Sequence, residues 1–219
     1  MENSTFSVLE LFKLGGPIMW PLLLFSIAVI AISIERAVFI FYYHDLKIDD
    51  IALKVSDYVK SKDYSGACGY LSGLTEKRMG ARILLALLQQ SNPGHNFLVH
   101  QAERAAETEA KNCLNSLENG FNFLTALGSL SPLTGFLGTV SGMIGAFKSI
   151  AEATEVNAQI VANGIYEALI TTVFGLIIAI IAMVAHSILS HIVDKFAARV
   201  EGVCSDLIAQ LENIHLAGK

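Results

Sequence analysis

The stretch that decides the fold is residues 162–188, ANGIYEALITTVFGLIIAIIAMVAHSI. It lies inside a longer run, residues 156–193, in which Glu167 is the only formally charged side chain. A helix that crosses a bilayer needs about 20 apolar residues, so this run predicts a transmembrane helix. A carboxylate within such a helix costs roughly 2.5–3.5 kcal/mol to insert, which makes Glu167 the first candidate functional residue.

Two other stretches have the same character. Residues 17–34 and 119–147 contain no charged side chain. Over the whole chain, 53% of residues are hydrophobic and 16% are charged, whereas soluble domains carry about 25% charged residues. We therefore predict an all-α integral membrane protein with three transmembrane helices and long cytoplasmic helical extensions. The three spans are placed at 17–42, 122–147 and 162–188.

The distribution of basic residues predicts the orientation of these spans. Segment 44–120 carries nine Lys and Arg, whereas residues 1–16 and the 148–161 loop carry one each, and three follow His191. Because basic residues favour the cytoplasmic side, the N-terminus is expected outside and the C-terminus inside. The first span is too long for a signal peptide and lacks a basic leader. The expected segments are an outer N-terminus at 1–16, a cytoplasmic helical insert at 43–121, an outer turn at 148–161 and a cytoplasmic helical tail at 189–219.

Apolar residues recur at helical spacing in the insert. One predicted helix carries Ile51, Val55, Tyr58 and Val59, and another carries Ile83, Leu84, Leu87 and Leu88. The motif at 91–94, Ser-Asn-Pro-Gly, predicts a turn after the second of these helices. Segment 96–118 is expected to run as one helix into the second span. The third span has no Gly or Pro between Ala179 and Ala198, so it is expected to continue into the tail.

Small residues form stripes on the second and third spans. The stripe on the second span repeats at intervals of 3, 4 and 3 residues, and Gly175 lies in a similar stripe on the third span. Inside lipid, small residues allow helix backbones to approach closely, so both spans are predicted to pack tightly. Ordinary packing within one chain explains any single glycine equally well. The second-span glycines are Gly135, Gly138, Gly142 and Gly145.

Hydroxyl side chains are expected at the membrane depth of Glu167. If the hairpin between the second and third spans turns near Thr154, then Thr139, Thr171, Thr172 and Glu167 lie within about one helical turn of the same depth. Together they could line a thin hydrated path. Two plainer readings compete, namely that Glu167 lies at the outer interface or near a helix N-terminus. The threonine hydroxyls could equally bond to carbonyls of their own helix.

Several other classes of function are disfavoured. The net charge of −5 without a basic cluster argues against nucleic-acid binding. The three cysteines are far apart, which argues against a metal site or a disulfide framework. The sequence contains no HExxH, GxSxG or P-loop motif, so neither an enzyme nor a cofactor is expected.

Two blocks carry a resemblance to a known family. Residues 131–144, SPLTGFLGTVSGMI, resemble the APLLGLLGTVWGMI block of the ExbB/TolQ/MotA family of proton-channel subunits. Residues 164–176, GIYEALITTVFGL, resemble its GIAEALLATAIGL block, and residues 15–22, GGPIMWPL, resemble ExbB-like openings. With three spans, the chain is more similar to ExbB and TolQ than to the four-span MotA.

The resemblance implies a proton-conducting stator subunit in the bacterial inner membrane. It implies a homopentamer around a dimer of a single-span ExbD/TolR-like partner, which would energise an outer-membrane process through a TonB- or TolA-like protein. By position, the family's pore residues fall on Thr139, Thr172 and Glu167. A structural membrane scaffold without its own proton path is the alternative, and the choice between a TonB-like and a Tol-like pathway stays open.

The sequence departs from the family pattern at two places. Residues 179–182 read AIIA where the family commonly has AIPA, so a proline kink is not expected from the residues here. Thr171 stands where alanine is frequent, beside the family threonine at Thr172. On a helix Thr171 lies about 40° from Glu167 and Thr172 about 140°, so it stays open which threonine faces the pore.

Overall fold

A computed structural model of the chain describes residues 12–43, 46, 48–90, 99–152 and 158–217, and these residues contain helices and turns but no strand. The chain divides into two compact units. The first comprises residues 1–34 and 120–188, and the second comprises residues 35–119 and 189–219. The helices are α1 (Met19–Val38, followed by a π-helical turn at Phe39–Tyr43), α2 (Asp49–Lys60), α3 (Tyr64–Ser72), α4 (Met79–Gln89), α5 (Val99–Glu118), α6 (Phe121–Glu152) and α7 (Ala158–Ala217).

Three helical stretches are long and apolar enough to cross a membrane, which confirms the predicted fold class. The first is Met19–Phe41, and the others lie within Val99–Glu152 and Ala162–Ile214, with mean hydropathies of 2.2, 1.3 and 2.7. Large apolar side chains stay exposed along all three, including Phe136 on α6 and Ile180 on α7. Exposed apolar faces of this kind are what lipid or further protein chains cover in a membrane.

In the first unit, α6 and α7 pack against each other through small residues. A Cβ added to Gly175 would lie 2.5 Å from the carbonyl oxygen of Ser131 and 3.3 Å from Cα of Gly135. A Cβ added to Gly142 would lie 3.1 Å from Cβ of Ala168. The two backbones therefore approach as closely as glycine allows, along an antiparallel pair of helices.

Gly145 differs from the other glycines of the second-span stripe. Where its Cβ would stand, no atom of the described chain lies within 4 Å. Gly135, Gly138 and Gly142 all face α7 at close range, with a Cβ on Gly138 overlapping the Thr171 side chain. Three of the four glycines in the second-span stripe therefore lie in the α6–α7 contact.

The prediction that segment 96–118 runs unbroken into the second span is wrong. Helix α5 ends at Glu118 and α6 begins at Phe121. Between them Gly120 has a φ of +92°, which a right-handed helix cannot include and which glycine adopts at little cost. The backbone N–H groups of Phe123 and Leu124 donate to the carbonyl of Gly120 and start the new helix. The missed signal was Gly120 itself.

Helix α7 confirms the predicted continuation of the third span into the tail. It runs as one α-helix of 60 residues, including 179–182, where the family proline is absent. Helix α6, by contrast, contains a proline, Pro132. The predicted turns at 91–94 and near Thr154 lie outside the described residues.

The second unit has a core of large apolar side chains, and it contains both helices that the spacing predicts in the insert. The predicted sets lie on α2 and α4, and Ile51, Val55, Leu84 and Leu87 are among the buried residues. Helix α3, which was not predicted, begins at an N-cap where Asp63 accepts from the N–H of Gly66 at 2.9 Å. N-cap carboxylates of this kind satisfy a free helix donor.

Polar contacts join the helices of the second unit. Arg82 pairs with Glu109 at 2.6 Å, and Arg199 on α7 pairs with Asp49 on α2 at 2.9 Å. The buried Arg36 donates to the carbonyl of Ser116 at 3.4 Å, in the last turn of α5. That carbonyl is one of the four that an α-helix leaves unpaired at its end, so Arg36 stabilises the end of α5.

Candidate functional site

The first unit contains a cavity of about 340 Å³ beside Glu167. Three segments form its wall, namely α6, α7 and the turn that precedes α1. Its lining combines a carboxyl group, hydroxyl groups and the exposed backbone of glycines. The lining residues are Gly15, Pro17, Ile18, Gly138, Ser141, Gly142, Gly145, Ala146, Ser149, Gly164, Glu167 and Thr171.

Glu167 is half-buried and lies nine residues after the first described residue of α7, Ala158. That separation is about two and a half helical turns, whereas the favourable effect of a helix N-terminus on a carboxylate fades within the first turn. Proximity to the helix N-terminus therefore does not explain why this apolar helix contains a carboxylate.

The turn before α1 lies directly against the Glu167 side chain. A Cβ added to Gly16 would overlap Oε1 of Glu167 and would stand 3.0 Å from its Cδ. A Cβ added to Gly15 would reach Cγ2 of Ile170 at 3.3 Å, on the same stretch of α7. The carboxyl group is therefore held between its own helix and this turn.

Thr171 is the predicted hydroxyl that shares the cavity with Glu167. Its side chain is 1% exposed, and its Oγ1 lies 2.7 Å from the carbonyl oxygen of Ala168 and 3.1 Å from that of Gly135. A hydroxyl has one proton to donate, so these two carbonyls compete for it and leave the oxygen free to accept. The bond to Ala168 is within the helix, whereas the bond to Gly135 joins α7 to α6.

The other two predicted threonines lie outside the cavity lining. Thr172 donates to the same carbonyl, that of Gly135, at 3.2 Å. Thr139 is half-buried and donates to the carbonyl of Phe136 at 2.7 Å, in its own helix. Gly138 contacts Thr171, so its neighbour Thr139 lies at about the same level along the helices, but on another side of α6. The structure thus places Glu167 and Thr171 in one cavity wall and leaves Thr139 and Thr172 outside that wall.

Two parts of the cavity wall were not predicted from the sequence. Ser141, Gly145 and Ser149 recur every four residues on one face of α6, and the Ser149 hydroxyl donates to the carbonyl of Gly145 at 3.0 Å. That spacing was a usable signal. The turn at residues 15–18 reads as a turn from its Gly-Gly-Pro sequence, but no local pattern says that it packs against Glu167.

This arrangement suits the handling of protons. A carboxyl group can bind and release a proton, and hydroxyl groups both donate and accept hydrogen bonds. The cavity volume of about 340 Å³ is large enough to hold several water molecules, each of which occupies roughly 30 Å³ in the liquid. A hydrated carboxyl group among hydroxyls, on apolar helices, is a typical element of proton pathways in membranes.

Comparison with known proteins finds a matching family model and several relatives. The family model described as the MotA/TolQ/ExbB proton channel family matches residues 75–202, which include Glu167. A putative biopolymer transport protein ExbB-like 1 from Synechocystis is 32% identical over 207 residues, covering 87% of this chain and 75% of that protein.

Two further relatives match over shorter stretches. A Tol-Pal system protein TolQ from Haemophilus influenzae is 34% identical over 134 residues, covering 59% of each chain. A biopolymer transport protein exbB1 from Vibrio cholerae is 33% identical over 123 residues, covering 56% of this chain and 54% of that protein. With a family model that matches more than half of its residues, this chain belongs to the MotA/TolQ/ExbB proton channel family.

Proposed function

We propose that this chain is a proton-conducting stator subunit that couples the proton motive force to motion of a single-span ExbD/TolR-like partner. The observation that carries the proposal is Glu167, a carboxyl group on an apolar helix that lines a polar cavity together with Thr171. The chain would reside in a bacterial inner membrane, with its N-terminus outside and its C-terminus in the cytoplasm. A TonB- or TolA-like protein would carry the motion to the outer membrane.

The energetics of the proposal are favourable. A proton that crosses a potential of 100 mV releases about 2.3 kcal/mol, and a pH gradient adds to this. A few protons per step would therefore supply enough free energy to move one packed helix past its neighbours. Glu167 would exchange protons with water in the cavity, and the free lone pairs of Thr171 would help to hold that water.

Thr139 and Thr172 take a different role in this proposal. Both lie outside the cavity beside Glu167, and both are only half-buried in a single chain. In a ring of five copies around a partner dimer, as the family resemblance implies, their faces would meet the partner or a neighbouring copy.

The decisive variants are Glu167→Gln and Glu167→Ala, expressed in cells that lack the native gene. Both are expected to abolish the growth or uptake that depends on the complex, while the single-span partner still copurifies. Glu152→Gln is the matched control, because Glu152 is an exposed carboxylate on α6 whose side chain is 69% exposed.

A scaffold that only pairs Glu167 with a cation of its partner predicts a different pattern. Such a scaffold needs no proton exchange at this position. If both Glu167 variants assemble normally and support wild-type activity, the proton-path proposal is wrong.

A further inference from the structure

We propose that Gly16 is a positioning residue for Glu167, because the missing side chain at position 16 leaves the space that the carboxyl group occupies. The inference rests on the proposed function, since it concerns the group that would exchange protons. It adds a residue that lies on a different segment, 151 positions away in the sequence.

The turn that holds Gly16 is anchored at both ends. Toward α1, the carbonyl of Gly16 accepts from the N–H of Met19 at 3.2 Å, and that of Pro17 accepts from Trp20 at 3.2 Å. Gly15 is buried, and a Cβ there would lie 2.5 Å from Cγ of the fully buried Met19 on α1 and 3.3 Å from Cγ2 of Ile170 on α7. The turn therefore packs closely against both the start of the first span and α7.

Two independent features demand glycine at position 16. Its φ is +66°, in the left-handed region that most residues adopt at a cost of about 1 kcal/mol or more. Separately, a Cβ would overlap Oε1 of Glu167 and stand 3.0 Å from Cδ and 3.7 Å from Cγ. The positive φ is a requirement of the turn alone, whereas the overlap with Glu167 determines where the carboxyl group can lie.

The overlap involves the end of the Glu167 side chain, so the glutamate would have to give way. With any side chain at position 16, the carboxyl group would rotate off the turn and leave its place on the cavity wall. Because proton transfer depends on hydrogen-bond geometry, such a displacement lowers the rate even if the helices stay assembled. An ordinary turn glycine would predict loss of stability only.

A matched set of glycine variants separates these effects. Gly202 lies exposed on α7 outside the cavity lining, and a Cβ there meets no described atom within 4 Å, so Gly202→Ala is the control. In the copurified complex reconstituted into liposomes, Gly16→Ala is expected to lower proton flux at least tenfold. Gly202→Ala is expected to stay within twofold of wild type.

A double-mutant cycle with Glu167→Asp distinguishes overlap from backbone strain. Aspartate is one methylene shorter, so its carboxyl group clears a Cβ at position 16. The flux and the thermal midpoint of the complex are measured for Gly16→Ala, Glu167→Asp and the double variant. We expect Gly16→Ala to cost far less in the aspartate background, in flux or, where Glu167→Asp itself does not conduct, in the thermal midpoint.

Equal costs in the two backgrounds would overturn the inference, as would wild-type flux in Gly16→Ala. If Gly16→Ala fails to assemble, recovery of assembly in the double variant supports the inference and lack of recovery overturns it. Glu167→Gln, measured alongside, separates this inference from the proposed function. Wild-type flux in Glu167→Gln would refute the proposed function, whereas inactive Glu167→Gln with fully active Gly16→Ala would refute the positioning role alone.

Discussion

The two units of this chain are packed by opposite means. In the second unit, large aliphatic side chains such as Leu84 and Leu87 are fully buried between helices. In the first, α6 and α7 meet where side chains are absent, as at Gly135 and Gly175. Water drives the first kind of packing through the hydrophobic effect, whereas lipid gives no such drive and leaves close contact between helices as the main attraction.

The comparison predicts that removing atoms harms the second unit most. Leu84→Ala on α4 should destabilise the unit by about 2–5 kcal/mol, because it leaves a cavity in a closely packed core. Hydrogen exchange of the α4 amides in the detergent-solubilised full chain would measure this. Leu53→Ala serves as the control, since Leu53 is 68% exposed on α2. Equal loss of protection in both variants would show that buried volume does not stabilise this unit.

Adding atoms should harm the first unit instead. Gly175→Ala would place a methyl group 2.5 Å from the carbonyl oxygen of Ser131, so α6 and α7 must separate. Overpacking of this kind costs about 1–3 kcal/mol. The midpoint of SDS-induced unfolding in mixed micelles would report the loss, and Gly145→Ala should leave that midpoint unchanged. A tolerated methyl group at position 175 would contradict the close approach of the two helices.

The hydrogen bond from Thr171 to the carbonyl of Gly135 tests how much polar contacts add to the packing of the first unit, because it joins α7 to α6. Thr171→Val keeps the shape of the side chain but removes the hydroxyl that bonds to the carbonyl of Gly135. We expect a loss of about 1 kcal/mol in the same unfolding measurement, the usual net value of a hydrogen bond. Thr171→Ser keeps the hydroxyl and should lose less. If valine is as stable as threonine, the Thr171 hydroxyl adds no stability beyond that of the Thr172 hydroxyl, which donates to the same carbonyl.

The smallest expected effect is a gain of stability in the second unit. Gly69 lies exposed on α3, and a Cβ there meets no described atom within 4 Å. Gly69→Ala should stabilise the unit by about 0.4–1 kcal/mol, because alanine restricts the unfolded chain and favours helix. Hydrogen exchange in α3 should slow accordingly. Faster exchange would contradict the prediction that alanine fits the open space at position 69 without strain.

Much of this fold follows from local pattern. The three spans are evident from runs without charge, and the continuity of α7 follows from the absence of Gly and Pro between Ala179 and Ala198. Helices α2 and α4 follow from apolar spacing. Helix α3 escaped prediction because it is short and has only two buried residues, Ala67 and Leu71.

The remaining features depend on contacts or dihedral angles that a sequence does not state. Gly120 separates α5 from α6 through its φ of +92°, although the glycines within α6 stay helical. The candidate site shows the same limit. Helical geometry correctly set Thr171 on the side of Glu167, but the contact of Gly16 with the carboxyl group joins distant segments. The roles of Glu167, Thr139, Thr171 and Thr172 in conduction stay predictions.

Proton flux through the reconstituted complex tests the central claim most directly. The chain is copurified with the proposed single-span partner and placed in liposomes. An imposed potential then drives protons inward, and an enclosed pH-sensitive dye reports their entry. We predict that Glu167→Gln reduces the flux at least tenfold, to the leak of empty liposomes, while Glu152→Gln conducts as wild type does. A complex of normal composition that conducts equally well with Glu167→Gln would contradict the account.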